Sequence, residues 1–349
     1  MSTRALLLYS PAGGGHRAAA HAVAEAISAQ DPAATVEVRD VCEFAPAWFR
    51  YDRAWSLLQR HGAYAWDWMF DATDRAEAEA IDAIRLPLHR ALFAGLDRHL
   101  RATRPTHIVS THYLPAIAVA RVKRAIGARA ITVVTDHQIH RAWLAPDADA
   151  ICVADLAGAR AALRRRADRA IAVTGIPIAR ACAAPTRAVA AELARARILA
   201  LLGGVPAGPA CAAIASLAPL ARDHDLEILT GDDPVVQRAC AAAFAGTEAI
   251  VRARAPGLVG ALDAADVVVT KAGGLSVSEG LARGRALVLP FGAPGQERGN
   301  LRHALASGAA LQPDEPADVG AAVRGLIDEP GRLRRMGARA RLAARPDAA

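Results

Sequence analysis

The sequence predicts an α/β fold of two domains, each built on a doubly wound parallel β-sheet. Three observations predict it: the chain has 349 residues, short apolar runs recur along it, and alanine-rich helical segments separate these runs. A chain of this length exceeds what one hydrophobic core usually organises. Runs that are apolar on both faces and alternate with helices are typical of parallel strands covered by helices on both sides.

The predicted strands fall into two series. The first covers residues 4–9, 35–41, 107–110, 130–135, 151–154 and 170–174, and the second covers residues 198–202, 226–230, 266–270 and 286–290. We therefore expect an amino-terminal domain at residues 1–178, a linker at 179–196 and a carboxy-terminal domain at 197–349. Ligands of such sheets bind at the carboxyl ends of strands, so the loops after the strands should hold the site.

One uncharged stretch, residues 198–221, is long enough to span a bilayer. Gly203, Gly204 and three prolines divide it, which predicts a strand, a turn and a helix within a buried βα unit. The apolar run near the amino terminus breaks at Pro11 and is too short for a signal peptide. Five cysteines without paired spacing indicate reduced thiols in a cytosol, with no disulfide and no zinc site.

The formal net charge of +7 is spread over both halves of the chain, and 40 of the 42 basic residues are arginine. The densest basic cluster, residues 164–169, lies in an alanine-rich helical stretch and is best interpreted as a solvated helix face. We therefore expect no nucleic-acid partner.

Residues 44–70 interrupt the alternation of predicted strands and helices. They contain nine of the 15 aromatic residues, among them Trp48 and Trp55. Tryptophan and tyrosine combine an apolar body with a polar tip, which suits a membrane surface or a lipid groove. The alternative is an aromatic pair of helices packed on the sheet, and the pattern leaves both open.

Residues 12–20, AGGGHRAAA, place His16 at the start of a helix predicted to run to about residue 29. The stretch lacks the lysine of a P-loop and the spaced glycines of a dinucleotide fingerprint. Contiguous glycines let the backbone approach a ligand, and a histidine can accept a proton near neutral pH. We interpret His16 as a candidate general base facing an interdomain cleft. The alternative is a structural or phosphate-binding ring, with Asp136 or another carboxylate as base.

A second glycine-rich turn follows the strand at 266–270. Gly273 and Gly274 turn the chain, and a helix is predicted to begin near Ser276. The free amides and the dipole of a helix start form an anion site suited to a diphosphate. Glu279, further along this helix, is placed to accept hydrogen bonds from ribose hydroxyls.

Two further features lie close to this turn in the sequence or after the next predicted strand. Gln296 and Glu297 offer the amide and the carboxylate expected of a group that recognises hexose hydroxyls. Lys271, one of only two lysines, is either a phosphate ligand or a solvated lysine at a strand end.

Four stretches resemble the inverting nucleotide-sugar glycosyltransferases of family 28. They are GGGHRAAA at 13–20, TDHQIHRAWLAPDADAICVAD at 135–155, VTGIPI at 173–178, and KAGGLSVSEGLARG at 271–284 with PGQERGN at 294–300. The resemblance covers most of the chain and is strongest to the branch of the monogalactosyl- and glucosyl-diacylglycerol synthases. It is more distant to the bacterial lipid-linked N-acetylglucosaminyl transferase of cell-wall assembly.

The resemblance implies the GT-B fold, with two Rossmann-like domains facing a cleft, and an inverting hexosyl transfer from a UDP-sugar to a lipid hydroxyl. His16 and Asp136 are the candidate catalytic residues. To the donor we assign Gly15, Gly203, Gly204, Arg254, Lys271, Gly273, Gly274, Leu275, Ser276, Glu279, Gln296, Glu297 and Asn300. To the acceptor we assign His112, His140 and Trp143, together with Trp48 and Trp55 from the aromatic segment.

Inversion needs one in-line attack, in which a base takes the acceptor proton while helix amides and cations meet the charge of the leaving UDP. We therefore expect no cofactor and no catalytic metal. The expected partners are a UDP-sugar and a lipid or other hydroxyl acceptor, and the expected location is peripheral on the cytoplasmic face of a membrane. Two alternatives stay open: a polyprenyl-linked or natural-product acceptor, and a non-catalytic GT-B-fold protein that binds a nucleotide or a partner.

Overall fold

The computed structural model describes residues 2–51, 53–54, 57, 63–75, 87–89, 91–144, 147–165, 168–184, 186–187, 194–292 and 294–349. The chain divides into two compact units. The first comprises Met1–Arg180, Pro294–Gln296 and Arg345–Ala349, and the second comprises Ala181–Ala293 and Glu297–Ala344. Trp55 lies outside the described residues, so its predicted acceptor role stays a prediction.

The first unit is built on a six-stranded parallel sheet in the order β2-β1-β3-β4-β5-β6. Its strands are β1 Arg4–Tyr9, β2 Thr35–Asp40, β3 His107–Ser110, β4 Arg129–Val133, β5 Ala150–Val153 and β6 Ala170–Val173. Its helices are α1 Gly15–Gln30, α2 Ala63–Asp74, α3 Ala94–Thr103, α4 Tyr113–Ala118, α5 Ala120–Ile126 and α6 Leu156–Arg165, with 3-10 turns at Val41–Phe44 and Arg141–Trp143. These six strands confirm the first predicted series.

The second unit carries another six-stranded parallel sheet, in the order β12-β11-β10-β7-β8-β9. Its strands are β7 Arg197–Leu201, β8 Asp225–Leu229, β9 Ile250–Arg252, β10 Val267–Thr270, β11 Ala286–Val288 and β12 Ala310–Leu311. Its helices are α7 Ala207–Leu217, α8 Pro234–Ala243, α9 Leu258–Ala264, α10 Gly274–Ala282, α11 Glu297–Ala306, α12 Val319–Ile327 and α13 Pro330–Ala343, with 3-10 turns at Arg180–Ala183, Ala218–Arg222 and Pro316–Asp318.

Alternating side chains along the central strands explain why these strands are apolar throughout. In β1, Leu6 and Leu8 pack into one buried cluster, whereas Leu7 packs into another. In β7, Ile198 and Leu199 are divided in the same way between two clusters. Successive strand residues point to opposite faces, so each sheet has a core on both sides.

The uncharged stretch at 198–221 forms the predicted βα unit. It contains most of β7, a turn at Gly203 and Gly204, and α7, in which Ala210 and Ile214 are buried. Within the described residues, no helix combines the length and the apolar character needed to cross a membrane.

The strand orders locate the functional end of each sheet. In the first unit the order reverses between β1 and β3, and in the second unit it reverses between β7 and β10. Open parallel sheets bind ligands outside the carboxyl ends of the strands at such reversals. The loops after these four strands, at residues 10–14, 111–112, 202–206 and 271–273, are therefore the expected positions of binding groups.

Two fully buried arginines fix the chain that enters the second unit. Arg283 donates to the carbonyls of Cys182 and Ala184, over 3.0 and 2.6 Å, and Arg285 donates to the carbonyl of Arg187 over 2.8 Å. Burial lowers the pKa of Arg285 to about 10. The main chain at Cys182, Ala184 and Arg187 is thus held by guanidinium groups of the second unit.

Candidate active site

His16 is the second residue of α1 and is half buried. The helix begins at Gly15, after a loop in which Gly13 has a φ of 78°, a conformation that favours glycine. The ring nitrogen Nδ1 lies 2.9 Å from the carbonyl oxygen of Thr111. A carbonyl only accepts, so Nδ1 carries the hydrogen, and Nε2 is the basic nitrogen of the neutral ring.

Two further predicted residues lie against His16. The rings of His16 and His112 meet edge to face with centroids 4.6 Å apart, and the Trp143 ring centroid lies 6.1 Å from that of His16. His112 and Trp143 are both buried. The structure therefore brings the candidate base and two predicted acceptor residues into one aromatic cluster.

His112 is a neutral member of this cluster. Its pKa is held well below the usual 6.5, mainly because the ring is buried and to a smaller extent because of electrostatic repulsion from His16. Its Nδ1 accepts from the amide of Leu114 and caps α4, so the hydrogen of the neutral ring is on Nε2. His112 can thus donate to a ligand through Nε2 but is a poor base.

His140 uses both ring nitrogens inside the first unit. Its Nδ1 accepts from the amide of Ala142 over 3.0 Å, and its Nε2 lies 3.1 Å from the carbonyl of Phe70, to which it donates. This ring joins α2 to the loop after β4. Its Nδ1 contact caps the 3-10 turn that contains Trp143.

The remaining predicted residues of the first unit differ in exposure. Asp136, the alternative base, is buried and directly follows Thr135. Trp48 is 74% exposed and touches Phe49 edge to face, with ring centroids 6.2 Å apart. Gly15 is the first residue of α1.

In the second unit the predicted anion site has the geometry of an open helix start. Helix α10 begins at Gly274, two residues before the predicted position, and its N-cap Gly273 has no side chain to bond the first amides. Gly273 has the extended backbone of an ordinary N-cap, so the first turn of the helix begins directly after it. The amides of Gly274, Leu275 and Ser276 lack intrahelical partners, as first-turn amides do, and can donate to an anion.

Glu279 lies further along the same helix and is buried. Among the described residues, none donates a hydrogen bond to its carboxyl group. Desolvation raises the pKa of Glu279 to about 7. A buried carboxyl without protein donors is costly unless it is neutral or meets donors from a ligand.

The loop between β10 and α10 is braced by two residues of the PGQERGN stretch. Asn300, fully buried, donates from Nδ2 to the carbonyl of Ala272 over 3.0 Å. Lys271 forms an ion pair with the buried Glu297. Both residues thus hold this loop, and Lys271 is a half-buried, ion-paired lysine.

The other predicted donor residues lie at the ends of neighbouring strands. Gly203 and Gly204 follow β7, and a Cβ added to Gly231, after β8, would lie 2.8 Å from Cα of Gly203. This close approach of two loops explains the glycines there. Arg254 forms an exposed ion pair with Asp232 on the loop after β8.

Gln296 packs with the first unit, apart from its neighbour Glu297. Its Oε1 accepts from the indole of Trp66 in α2 over 3.1 Å. The amide of Gly295 donates to Oδ1 of Asp67 over 2.7 Å.

The sequence analysis did not assign a role to four residues that contact His16 or the loop at 295–296. They are Thr111, Thr135, Trp66 and Asp67. Thr111 directly follows the predicted strand at 107–110, and Thr135 is the last residue of the predicted strand at 130–135, which was a usable signal because strand ends carry the site. Trp66 and Asp67 lie in the aromatic segment, but no local pattern links them to residues 295 and 296.

Comparison with solved structures defines the class of fold. The chain is similar to Acinetobacter baumannii MurG, with a TM-score of 0.62, 16% identity and coverage of 99% of this chain and 96% of that chain. It is also similar to CalG4, the calicheamicin glycosyltransferase, with a TM-score of 0.56, 15% identity and coverage of 99% and 96%. A putative UDP-N-acetylglucosamine 2-epimerase from Listeria monocytogenes gives a TM-score of 0.64 at 11% identity, covering 100% and 94%. The chain therefore has the predicted GT-B fold, which serves more than one reaction.

Sequence comparison shows a distant similarity to one enzyme family. Residues 16–178 match the family model of monogalactosyldiacylglycerol (MGDG) synthase. The chain is 25% identical to a probable MGDG synthase 2 of Oryza sativa subsp. indica, over 98% of this chain and 78% of that protein. It is 24% identical to MGDG synthase 2 of Arabidopsis thaliana, over 90% and 71%. The chain is thus a distant relative of the MGDG synthases, as the motifs predicted.

Proposed function

We propose that this chain is an inverting glycosyltransferase that moves a hexose from a UDP-sugar to the hydroxyl group of a diacylglycerol-type lipid. The relationship to the MGDG synthases supports this class of donor and acceptor. One observation carries the proposal: the hydrogen bond from Nδ1 of His16 to the carbonyl of Thr111 makes Nε2 the basic nitrogen. A general base of this kind is what an acceptor hydroxyl requires.

In the proposed reaction, Nε2 of His16 takes the proton of the acceptor hydroxyl as its oxygen attacks C1 of the sugar. The bond from that oxygen to C1 forms while the bond from C1 to the diphosphate oxygen breaks, which inverts C1. The electron pair of the broken bond leaves with UDP. The free amides at the start of α10 stabilise the resulting charge, and these donors need no rearrangement during the reaction.

Glu279 is the proposed ribose ligand. Its buried carboxyl has no hydrogen-bond donor within the described part of the chain, and two ribose hydroxyls would supply donors. The ribose and the diphosphate of one nucleotide would then both be bound along α10. Since the helix amides carry the leaving-group charge, the proposed chemistry needs no metal.

Peripheral membrane contact is part of the proposal. Trp48 and Trp68 are each 74% exposed, and exposed tryptophans favour the interface of a bilayer. Co-sedimentation with diacylglycerol-containing liposomes tests this contact. We expect the double variant Trp48→Ala, Trp68→Ala to lose most binding, whereas liposome binding equal to wild type would contradict a role for these side chains.

The decisive experiment measures UDP release and glycolipid formation over a panel of UDP-sugars, with diacylglycerol, polyprenyl-phosphate and small-molecule acceptors. We expect transfer to diacylglycerol, and a loss of roughly 10²- to 10⁴-fold in His16→Ala, the range that general bases supply. His21→Ala, an exposed histidine on the same helix, is the matched control and should keep full activity.

The other outcomes separate the alternatives. Transfer only to a polyprenyl or soluble acceptor would replace the proposed lipid acceptor. Full activity in His16→Ala would remove His16 as the base. No transfer with any donor would favour the non-catalytic alternative.

A further inference from the structure

His16 is held from three adjacent strands of one sheet. His16 follows β1, Thr111 follows β3 and Thr135 follows β4, and β3 pairs with both β1 and β4. The carboxyl ends of neighbouring parallel strands lie at one edge, so these residues converge although 95 and 119 positions separate the threonines from His16.

Thr111 contacts His16 at two points. Its carbonyl accepts from Nδ1 of the ring over 2.9 Å, and its hydroxyl donates to the main-chain carbonyl of His16 over 2.8 Å. Thr111 is itself fully buried, and its amide donates to the carbonyl of Leu8 over 3.0 Å. The start of α1 and the ring of His16 are therefore fixed by one residue of the sheet.

Thr135 adds a second oxygen at the same ring nitrogen. Its Oγ1 lies 3.0 Å from Nδ1 of His16, and the side chain is buried. Since the hydrogen on Nδ1 points to an accepting carbonyl, the Thr135 oxygen is a second acceptor of a three-centre hydrogen bond. Both acceptors are uncharged.

We propose that Thr135, acting with the carbonyl of Thr111, is a positioning residue for His16. The Thr111 carbonyl fixes the tautomer with hydrogen on Nδ1, and the Thr135 hydroxyl adds a second acceptor that orients the ring. It also strengthens its bond when Nε2 takes a proton, because the N–H of an imidazolium is the better donor. The consequence for catalysis rests on the proposed function, whereas the effect on the orientation and the pKa of His16 belongs to the protein alone.

Thr135→Val keeps the shape of the side chain and removes the acceptor. The pKa of His16 should then fall, because a hydrogen bond to the charged form favours that form. We expect kcat to fall about tenfold, the effect of weakening one hydrogen bond to a charged group, with KM within about twofold. Thr135→Ser, which restores the hydroxyl, should restore both the pKa and the rate.

The test is a ¹⁵N NMR titration of the histidine side chains without donor or acceptor. The signal of His16 is assigned from its loss in His16→Ala. His112, whose ring meets that of His16, and Asp136, which follows Thr135, are retained in every variant. Thr132→Val is the matched control, since Thr132 is a buried threonine on β4 three residues earlier.

We expect Thr135→Val to lower the pKa of His16 while the Thr111 carbonyl keeps the Nδ1–H tautomer, with the His16 titration unchanged in Thr132→Val. Thr135→Ala serves as the second variant if valine prevents folding. A His16 titration unchanged in both variants, or changed equally by Thr132→Val, would overturn the proposal. These shifts in a protein that transfers no sugar would contradict the proposed function and support the positioning role. Normal transfer with an unaffected titration would overturn the positioning role alone.

Discussion

The indole N–H of Trp66 donates a hydrogen bond to Oε1 of Gln296, 3.1 Å away. Because Oε1 is the acceptor in this bond, Gln296 can present its Nε2 group as a donor to a sugar hydroxyl. The neighbouring Gly295 has a φ of 58°, and a Cβ there would lie 2.5 Å from Nε1 of Trp66. The contact therefore needs both the indole and the glycine.

Trp66→Phe keeps an aromatic ring but removes the donor. We expect kcat/KM for the preferred UDP-sugar to fall about fivefold, since a neutral hydrogen bond contributes about 1 kcal/mol. Discrimination between UDP-hexoses should weaken, because the side-chain amide of Gln296 can then rotate and exchange the positions of Oε1 and Nε2. Initial rates over a panel of UDP-sugars measure both effects.

Met69→Leu is the matched control for this prediction. Met69 lies on the same helix and is 38% exposed. Equal loss of selectivity in both variants would show that selectivity responds to any substitution on this face of α2. That result would contradict a specific role for the hydrogen bond between Trp66 and Gln296.

Local sequence predicted most of the fold because most strands are buried on both faces. The run at 107–110 coincides with β3, and the run at 4–9 coincides with β1. The prediction missed β9 and β12, which form the two edges of the second sheet. β9 has three residues, all of them exposed, and β12 has two residues. Neither is long enough to show the pattern of a buried strand, and both depend on pairing with a neighbouring strand.

Sequence also singled out His16 and Glu279 as candidate site residues, because glycine-rich turns before helices are visible locally. It did not find Thr135 or Trp66. Trp66 and Gln296 are 230 residues apart, and Thr135 and His16 are 119 apart. Such contacts arise from the order of strands and the packing of loops, which no local pattern carries.

Gly320→Ala should destabilise the second unit strongly. Gly320 is the second residue of α12, and an added Cβ would lie 1.9 Å from the main-chain oxygen of Ser216. Backbone cannot turn aside as a side chain can, so helices α7 and α12 would have to separate. We expect a loss of about 3 kcal/mol in the free energy of unfolding, measured by urea denaturation.

Gly325→Ala, on the same helix, is the control for this substitution. Nothing lies within 4 Å of an added Cβ at Gly325, so alanine should stabilise the protein by roughly 0.5–1 kcal/mol through its helix propensity. Similar stabilities for the two variants would contradict close packing at Gly320.

Removal of divalent metal should leave transferase activity within about twofold of the untreated enzyme. The free amides of Gly274, Leu275 and Ser276 are the proposed partners of the leaving diphosphate. Because these amides stabilise its charge, the proposed reaction does not require a metal ion. Rates after extensive dialysis against EDTA, and after return of Mg²⁺ or Mn²⁺, measure this. Activity lost with EDTA and restored by either ion would contradict the proposed leaving-group stabilisation.

Stability should fall as pH rises through the range in which Glu279 ionises. Its usual pKa is 4.5, and desolvation raises it to about 7, so between these values the folded protein binds a proton that the unfolded chain has released. The stabilising effect of that proton is complete below pH 4.5 and is lost above pH 7. It amounts to about 3 kcal/mol, since one pKa unit corresponds to about 1.4 kcal/mol.

Glu279→Gln should abolish this dependence, making the variant more stable than wild type at pH 8 but not at pH 4.5.

UDP should bind the wild-type protein more weakly below pH 7, because two ribose hydroxyls need the ionised carboxylate of Glu279 as acceptor. UDP binding to Glu279→Gln should be about tenfold weaker and should show no such pH dependence. Calorimetry in two buffers of different ionisation enthalpy should show proton release when UDP binds the wild-type protein near pH 7. Glu248→Gln, at a side chain that is 85% exposed in the same unit, should behave as wild type. UDP binding that is independent of pH in the wild-type protein, or unchanged in Glu279→Gln, would exclude Glu279 as the ribose ligand.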